Sequence, residues 1–175
     1  MYTVKCDTHT HTLYSRHAFS TIEENVKAAA GQGMELLATT DHFSDMLFTD
    51  VHIKHYQYLF NQVVLPRSWH GVTLLRGCEA DIIDLEGHLF GHGILVEENI
   101  VGMKYKTIQE LDQFIASKLD YVIASIHGKR HTEGISAVQG TKMYMKALEQ
   151  EKVLILGHIG RSQVNFELDP VLLEA

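Results

Sequence analysis

The chain has 175 residues, 45% hydrophobic and 21% charged, with a formal net charge of −7 at pH 7. This is the balance of an ordinary soluble protein with a sizeable core, and it predicts one domain spanning residues 1–175. No apolar run reaches the roughly 18–20 residues that cross a bilayer, so no membrane partner is expected. The absence of a Lys/Arg block disfavours a nucleic-acid partner, whose phosphates need a basic surface. A small anionic substrate stays compatible, because bound cations reverse the local sign. The opening MYTVKCDTHTHT has no basic start followed by an apolar stretch, so the expected location is the cytoplasm.

In chain order, a first strand is predicted at 2–6, running into Asp7-Thr-His9-Thr-His11-Thr. Ser20, with Glu23 three residues on, reads as a capping box. Val26, Ala29 and Ala30 carry that helix's apolar stripe until Gly31–Gly33 ends it. A second strand, 35–39, leads to Thr40-Asp41-His42. Residues 51–64 set Tyr56, Leu59, Phe60 and Val63 at helical spacing, and Pro66 stops them. A third strand, 72–76, leads into Gly77-Cys78-Glu79. The Gly-rich stretch 80–101 predicts a hairpin turning near Glu86-Gly87. Thr107 and Glu110 read as a second capping box, opening a helix through Ser117. The fourth strand, 121–126, ends in His127, and a helix follows over 138–149. The fifth strand, 153–156, ends in Gly157-His158. Asp169-Pro170 predicts a capped helix with proline in its first position. Strands alternating with helices predict an α/β fold with a parallel sheet. Cys6 and Cys78, on the first and third strands, would lie about 9–10 Å apart, too far for a disulfide, and are expected as two buried thiols.

Twelve histidines stand out in the composition. His9 and His11 follow the first strand, with His17 six residues later. His42 follows the second, Glu79 the third, His127 the fourth and His158 the fifth. In a parallel α/β barrel the carboxyl ends of the strands share one rim, so these residues converge. Residues i and i+2 of an extended segment point the same way, which lets His9 and His11 grip one ion from one side. Glu79 can bridge two ions through its two oxygens, which imidazole cannot do. Mixed histidine and carboxylate ligation suits Zn, Mn or Fe, and two to three such divalent ions are expected.

Asp7-Thr-His9-Thr-His11-Thr, Thr40-Asp41-His42, Gly77-Cys78-Glu79, Ser125-Ile126-His127 and Gly157-His158 together resemble the ordered motifs of the PHP (polymerase and histidinol phosphatase) family. The segment from His11 to Ser20 is closest to its small bacterial phosphatases. The resemblance implies a distorted (β/α)7 barrel, here incomplete with about five strand–helix units. The family's last strands, and a final Asp-x-His motif that serves two of its metal sites, have no counterpart. It further implies three sites: His9, His11 and Glu79; Glu79, His127 and His158; His17 and His42. The open barrel edges, on the first and fifth strands, predict a homo-oligomer that covers them; the alternative is a C-terminally truncated piece of a longer protein.

The resulting expectation is a metal-dependent hydrolase in which an activated hydroxide attacks a small phosphorylated metabolite, a phosphate monoester. Glu79, Arg16 and Arg161 are the catalytic candidates, with Lys129 and Arg130 as further cations near ligands. Asp7 and Asp41 are expected to orient imidazoles by accepting a ring N–H. Two alternatives stay open: phosphodiester cleavage of the nuclease type, and a non-catalytic metal-binding module.

Overall fold

The computed structural model describes residues 3–48, 50–159 and 166. The fold is α/β, a curled parallel sheet forming a half-barrel. Its path begins with β1 (Cys6–Thr10), followed by α1 (Ile22–Gly31), β2 (Leu36–Thr39) and the two-residue β3 (His42–Phe43). After α2 (Gln57–Asn61) come β4 (Ser68–Trp69) and the ten-residue β5 (Val72–Asp81). A separate antiparallel pair, β6 (Leu95–Glu98) and β7 (Lys104–Glu110), precedes α3 (Leu111–Ala116). The chain continues through β8 (Tyr121–Ser125), α4 (Ala137–Leu148) and β9 (Val153–Leu156). The main order is β1-β2-β5-β8-β9, all parallel, so β1 and β9 are its edges, as the sequence predicts.

Alternation along β5 divides the core. Val72, Leu74, Cys78 and Ala80 are buried on the outer, helix-covered face. Leu75, Gly77, Glu79 and Asp81 fall on the opposite, concave face, as a two-residue period requires. There Ala38, Leu75, Tyr121, Ile123 and Ile155 form a small apolar plug, its β5 member Leu75 four residues before Glu79. Outside, Tyr56, Leu59, Leu111, Ile115, Met143 and Tyr144 close the main core. Cys78 is buried but Cys6 is exposed on the edge strand, contrary to the expected pair of buried thiols; both are free.

Several local readings shift. The first helix is capped by Thr21 with Glu24, whose carboxylate accepts from Thr21 N at 2.7 Å. Beginning at Ile22 turns Val26 and Ala29 inward and frees Glu23 to pair with Lys27 at 2.9 Å. Residues 51–64 are not one helix but a 3-10 turn (Ile53–Tyr56), α2 and a second 3-10 turn (Gln62–Val64). The buried residues there are Ile53, Tyr56, Leu59 and Gln62, a spacing of three that suits 3-10 geometry. Gln62 donates to the Gly77 carbonyl at 3.2 Å, and Val63 is exposed. Thr107 lies within β7 rather than capping a helix. Glu110 is held by Gly93 N at 2.9 Å and His92 Nδ1 at 2.8 Å, so it is not free to cap with Thr107. A hairpin unforeseen in the sequence joins β4 to β5 through His70 (φ 50°) and Gly71 (φ 82°), a two-residue turn with both centres left-handed. The turn at Glu86-Gly87 is present, closed by Ile83 N to the His88 carbonyl at 2.9 Å. The proline-capped helix predicted from Asp169 lies outside the described residues. No helix among the described residues is long and apolar enough to cross a membrane.

Gly87 holds φ +74° against α4, where a Cβ would lie 2.3 Å from Ala147 N and 2.5 Å from the Lys146 carbonyl carbon. Gly87→Ala is expected to destabilise the protein by about 2–4 kcal/mol, strain and overpacking together. Gly33→Ala, at φ +71° with nothing within 4 Å, should cost only about 1 kcal/mol of strain. Urea midpoints at unchanged m-value give both numbers.

Candidate metal centre

The carboxyl end of β5 delivers Glu79 to the concave face with its side chain fully buried. Its two oxygens face different partners. Oε2 lies 3.1 Å from His9 Nε2, 3.3 Å from His11 Nε2 and 3.2 Å from His42 Nδ1. Oε1 lies 3.1 Å from His127 Nε2 and 2.7 Å from His158 Nε2, and accepts the Ser125 hydroxyl at 2.6 Å. His9 Nε2 and His11 Nε2 are 3.2 Å apart. His17 Nε2 and His42 Nε2 approach to 2.7 Å, with His11 near enough to join them in one donor group. Five imidazoles therefore surround the Glu79 carboxylate, His17 joins through His42, and all seven sequence-predicted residues line one cavity.

Local structure explains each placement. His9 is in β1 and His11 one residue past it, two apart on one side. His42 sits in β3 directly opposite Glu79 in parallel register. His127 and His158 each follow a strand end by two residues. His158 is left-handed (φ 28°), and Gly157 before it is a required glycine. A Cβ there would fall 2.0 Å from Ser125 Oγ and 3.1 Å from Glu79 Oε1.

The electrostatics follow from this packing. Burial alone would raise the Glu79 carboxyl, but the surrounding His11, His127 and His9 imidazoles and the Ser125 hydroxyl outweigh it and hold it far below the carboxylate range. His42 is pushed down to about 3, chiefly by burial, against the pull of Glu79. His127 is also penalised by burial, yet Asp81 and Glu79 raise it to about 9.

Asp81 is the residue that sequence reasoning missed. It stands two positions after Glu79 on the same face of β5, binds His127 Nδ1, and accepts the Ser44 hydroxyl at 2.5 Å. That bond leaves Nε2 of His127 as the nitrogen turned to Glu79. The i, i+2 spacing of Glu79 and Asp81 was the available signal. The two predicted orienting residues act differently. Asp7 accepts the backbone N–H of His9 at 3.1 Å, not a ring nitrogen. Asp41 accepts Thr12 N at 2.7 Å, the Thr12 hydroxyl at 2.8 Å and the Ser15 hydroxyl at 2.6 Å, and reaches His11 Nδ1 only through Ser15 at 3.1 Å. A short aspartate directly before a ligand finds backbone and hydroxyl donors closer than an imidazole.

Arg16 is exposed, with a left-handed backbone (φ 64°) and its guanidinium 4.8 Å over the Phe48 ring. Arg130 pairs with Asp45 at 2.7 Å. Arg161 lies outside the described residues. The cluster lines a cavity of about 880 Å³ together with Met46, Ile126, Gly128 and Lys129. A second donor group, His92, Glu110 and Asp112, lies outside this cavity and ties the loop before β6 to the start of α3.

The donor set fits transition-metal ions. Ligands 2.0–2.2 Å from one ion sit about 3–3.5 Å from each other, the spacing seen here. Glu79 Oε2 and His42 Nδ1 are buried without a hydrogen-bond partner, although they face each other. A bound cation would satisfy both of these atoms at once.

A PHP domain model matches residues 7–168. A protein named probable phosphatase from Aliivibrio fischeri (strain MJ11) is 35% identical over 169 residues, covering 97% of this chain and 58% of its own length. Similar proteins of the same name from Photobacterium profundum and Clostridium botulinum are 34% and 36% identical, each over 97% of this chain and 58% and 59% of their own lengths. The chain thus spans under three fifths of the curated relatives it matches.

In protein stripped of metal, His127 carries a folded pKa near 9 against an unfolded value of 6.5. Its stabilising contribution is complete below about pH 6.5 and is lost as pH rises through about 9. The urea midpoint of the stripped protein should therefore decline between those values, and Asp81→Asn should flatten the decline. The same substitution should weaken zinc or manganese binding by about 10- to 100-fold in competition with a chelating dye.

Proposed function

The chain belongs to the PHP domain family, and from that premise we propose that it hydrolyses a phosphate ester with divalent transition-metal ions, preferring a small monoester. The observation that carries this reading is the division of Glu79: one oxygen toward His9, His11 and His42, the other toward His127 and His158. A carboxylate so divided would offer each oxygen to a separate cation, together with the imidazoles on that side. When bound, such cations supply Lewis acidity, lowering the pKa of water toward neutrality and neutralising phosphoryl oxygens.

The chain's own residues prepare that chemistry. Glu79, His9 and His11 would hold one ion, Glu79, His127 and His158 a second, and His17 with His42 a third. Burial keeps His42 unprotonated at neutral pH, ready to donate a lone pair. Ser125 fixes the carboxylate plane by donating to Oε1. Asp81 and Ser44 fix the His127 ring, and Asp41 fixes the Ser15 hydroxyl that touches His11. A cavity of about 880 Å³ admits a small phosphorylated molecule. The net charge of −7 argues against a polyanionic substrate. The relatives' name, probable phosphatase, supports the same reaction class.

With zinc, manganese or iron added, the protein is expected to hydrolyse p-nitrophenyl phosphate, and chelation should abolish the activity. Glu79→Gln, which removes the charge from between the imidazole groups, should lower kcat/KM by about 10³-fold or more and reduce bound metal by elemental analysis. Full metal content with no turnover of any mono- or diester would overturn the reading.

A further inference from the structure

Among the described residues that line the cavity, Lys129 is the one with a permanent positive charge. Two other described cations near these residues are engaged elsewhere. Arg130 is neutralised by Asp45 at 2.7 Å, and Arg16 lies over the Phe48 ring. The Lys129 ammonium has no ion-pair or hydrogen-bond partner among the described residues, although the chain carries 22 acidic side chains. Its backbone, by contrast, is tightly held. The Lys129 carbonyl accepts Thr132 N at 3.0 Å and Glu133 N at 2.9 Å, and the Thr132 hydroxyl donates to the Gly128 carbonyl at 3.3 Å. This turn fixes the base of a long cationic side chain two residues after His127, at the rim of the imidazole cluster.

We propose that Lys129, held beside His127 at the cavity rim with its ammonium free, determines specificity by binding the additional charged oxygen that a phosphate monoester carries and a diester lacks. The inference rests on the phosphoesterase reading and deepens it by naming the substrate class that the site selects. A monoester near neutral pH is close to a dianion, with three unesterified oxygens sharing the charge. A diester is a monoanion with two such oxygens, because the third bears a second organic group. Cations held by the imidazole–carboxylate cluster would serve oxygens common to both classes. A lysine ammonium adds a compact charge with three donors for the oxygen that remains. In a diester that position offers a weakly basic, substituted oxygen, so the ammonium is desolvated for little return. Charge-assisted hydrogen bonds of this kind commonly change binding by about 10- to 100-fold.

The test uses the metal-loaded chain with Lys129→Met and Lys129→Arg, each checked for unchanged metal content. Lys129→Met is expected to lower kcat/KM for p-nitrophenyl phosphate by about 10- to 100-fold, while bis(p-nitrophenyl) phosphate changes by less than about threefold. Lys129→Arg should recover most of the monoester rate. In calorimetry, Lys129→Met should weaken inorganic phosphate by a similar factor and leave dimethyl phosphate unaffected. Equal losses on both substrate classes, or no loss on either, would overturn the proposal while leaving the phosphoesterase reading intact. If the unaltered protein hydrolyses neither ester, that reading fails by itself, and the phosphate-against-dimethyl-phosphate comparison still decides the role of Lys129.

Discussion

A fully buried carboxylate in the hollow of a parallel sheet is the constraint around which the molecule is organised. An ionised group withdrawn from water is tolerated only when compensating charge or hydrogen bonds surround it. Glu79 has five imidazoles and a serine hydroxyl within 3.3 Å, drawn from four places: His9 and His11 from β1 and the residue after it, His42 from β3, Ser125 and His127 from the end of β8, and His158 from the end of β9. The apolar plug of Ala38, Leu75, Tyr121, Ile123 and Ile155 beneath it keeps water out from below. Donors and plug occupy the same concave face, so the sheet's curl and the site's composition are one arrangement.

Parallel pairing explains why distant residues meet there. Every strand of the main path points its carboxyl end to one rim, and the segments that follow carry the donors. The two-residue period then selects which neighbours share the hollow. Glu79 and Asp81 both face inward from β5, one toward the cluster and one toward the outer nitrogen of His127. Small side chains permit the closeness. Gly157 leaves space that Ser125 and Glu79 occupy, and Gly77 lies against Thr40 and Tyr121.

Anchoring is graded outward from this centre. His11, His42 and His127 each have a second partner beyond Glu79: Ser15, His17 and Asp81. His158, on the edge strand side, is more exposed than His42 and contacts Glu79 by a single short approach. The cavity mouth is built from Met46 and the turn after β8, where a long cationic side chain stands free beside residues that are firmly held.

Strand identity, strand order along the chain and the residues that gather on the concave face were legible in the amino-acid sequence, because alternation, strand-end position and residue type are local properties. Four of the five parallel strands start within one residue of expectation, whereas β1 runs over Cys6–Thr10 instead of 2–6 because its ladder partner is Leu36–Thr39, and β5 continues past 76 to Asp81 by pairing with β8; His9, His11, His17, His42, Glu79, His127 and His158 line one cavity. Local reading failed where a partner outside the segment decided the outcome. Residues 51–64 break into short turns because Gln62 must reach the Gly77 carbonyl, and Thr107 joins a strand because Leu95–Glu98 offers it a ladder. Which atom faces which was decided only by tertiary structure. No spacing rule says that Asp81 rather than Asp7 or Asp41 holds an imidazole, or how the two oxygens of Glu79 are shared. Those outcomes depend on strand register and side-chain reach across the sheet, and such distances exist only once the chain has closed around its buried charge.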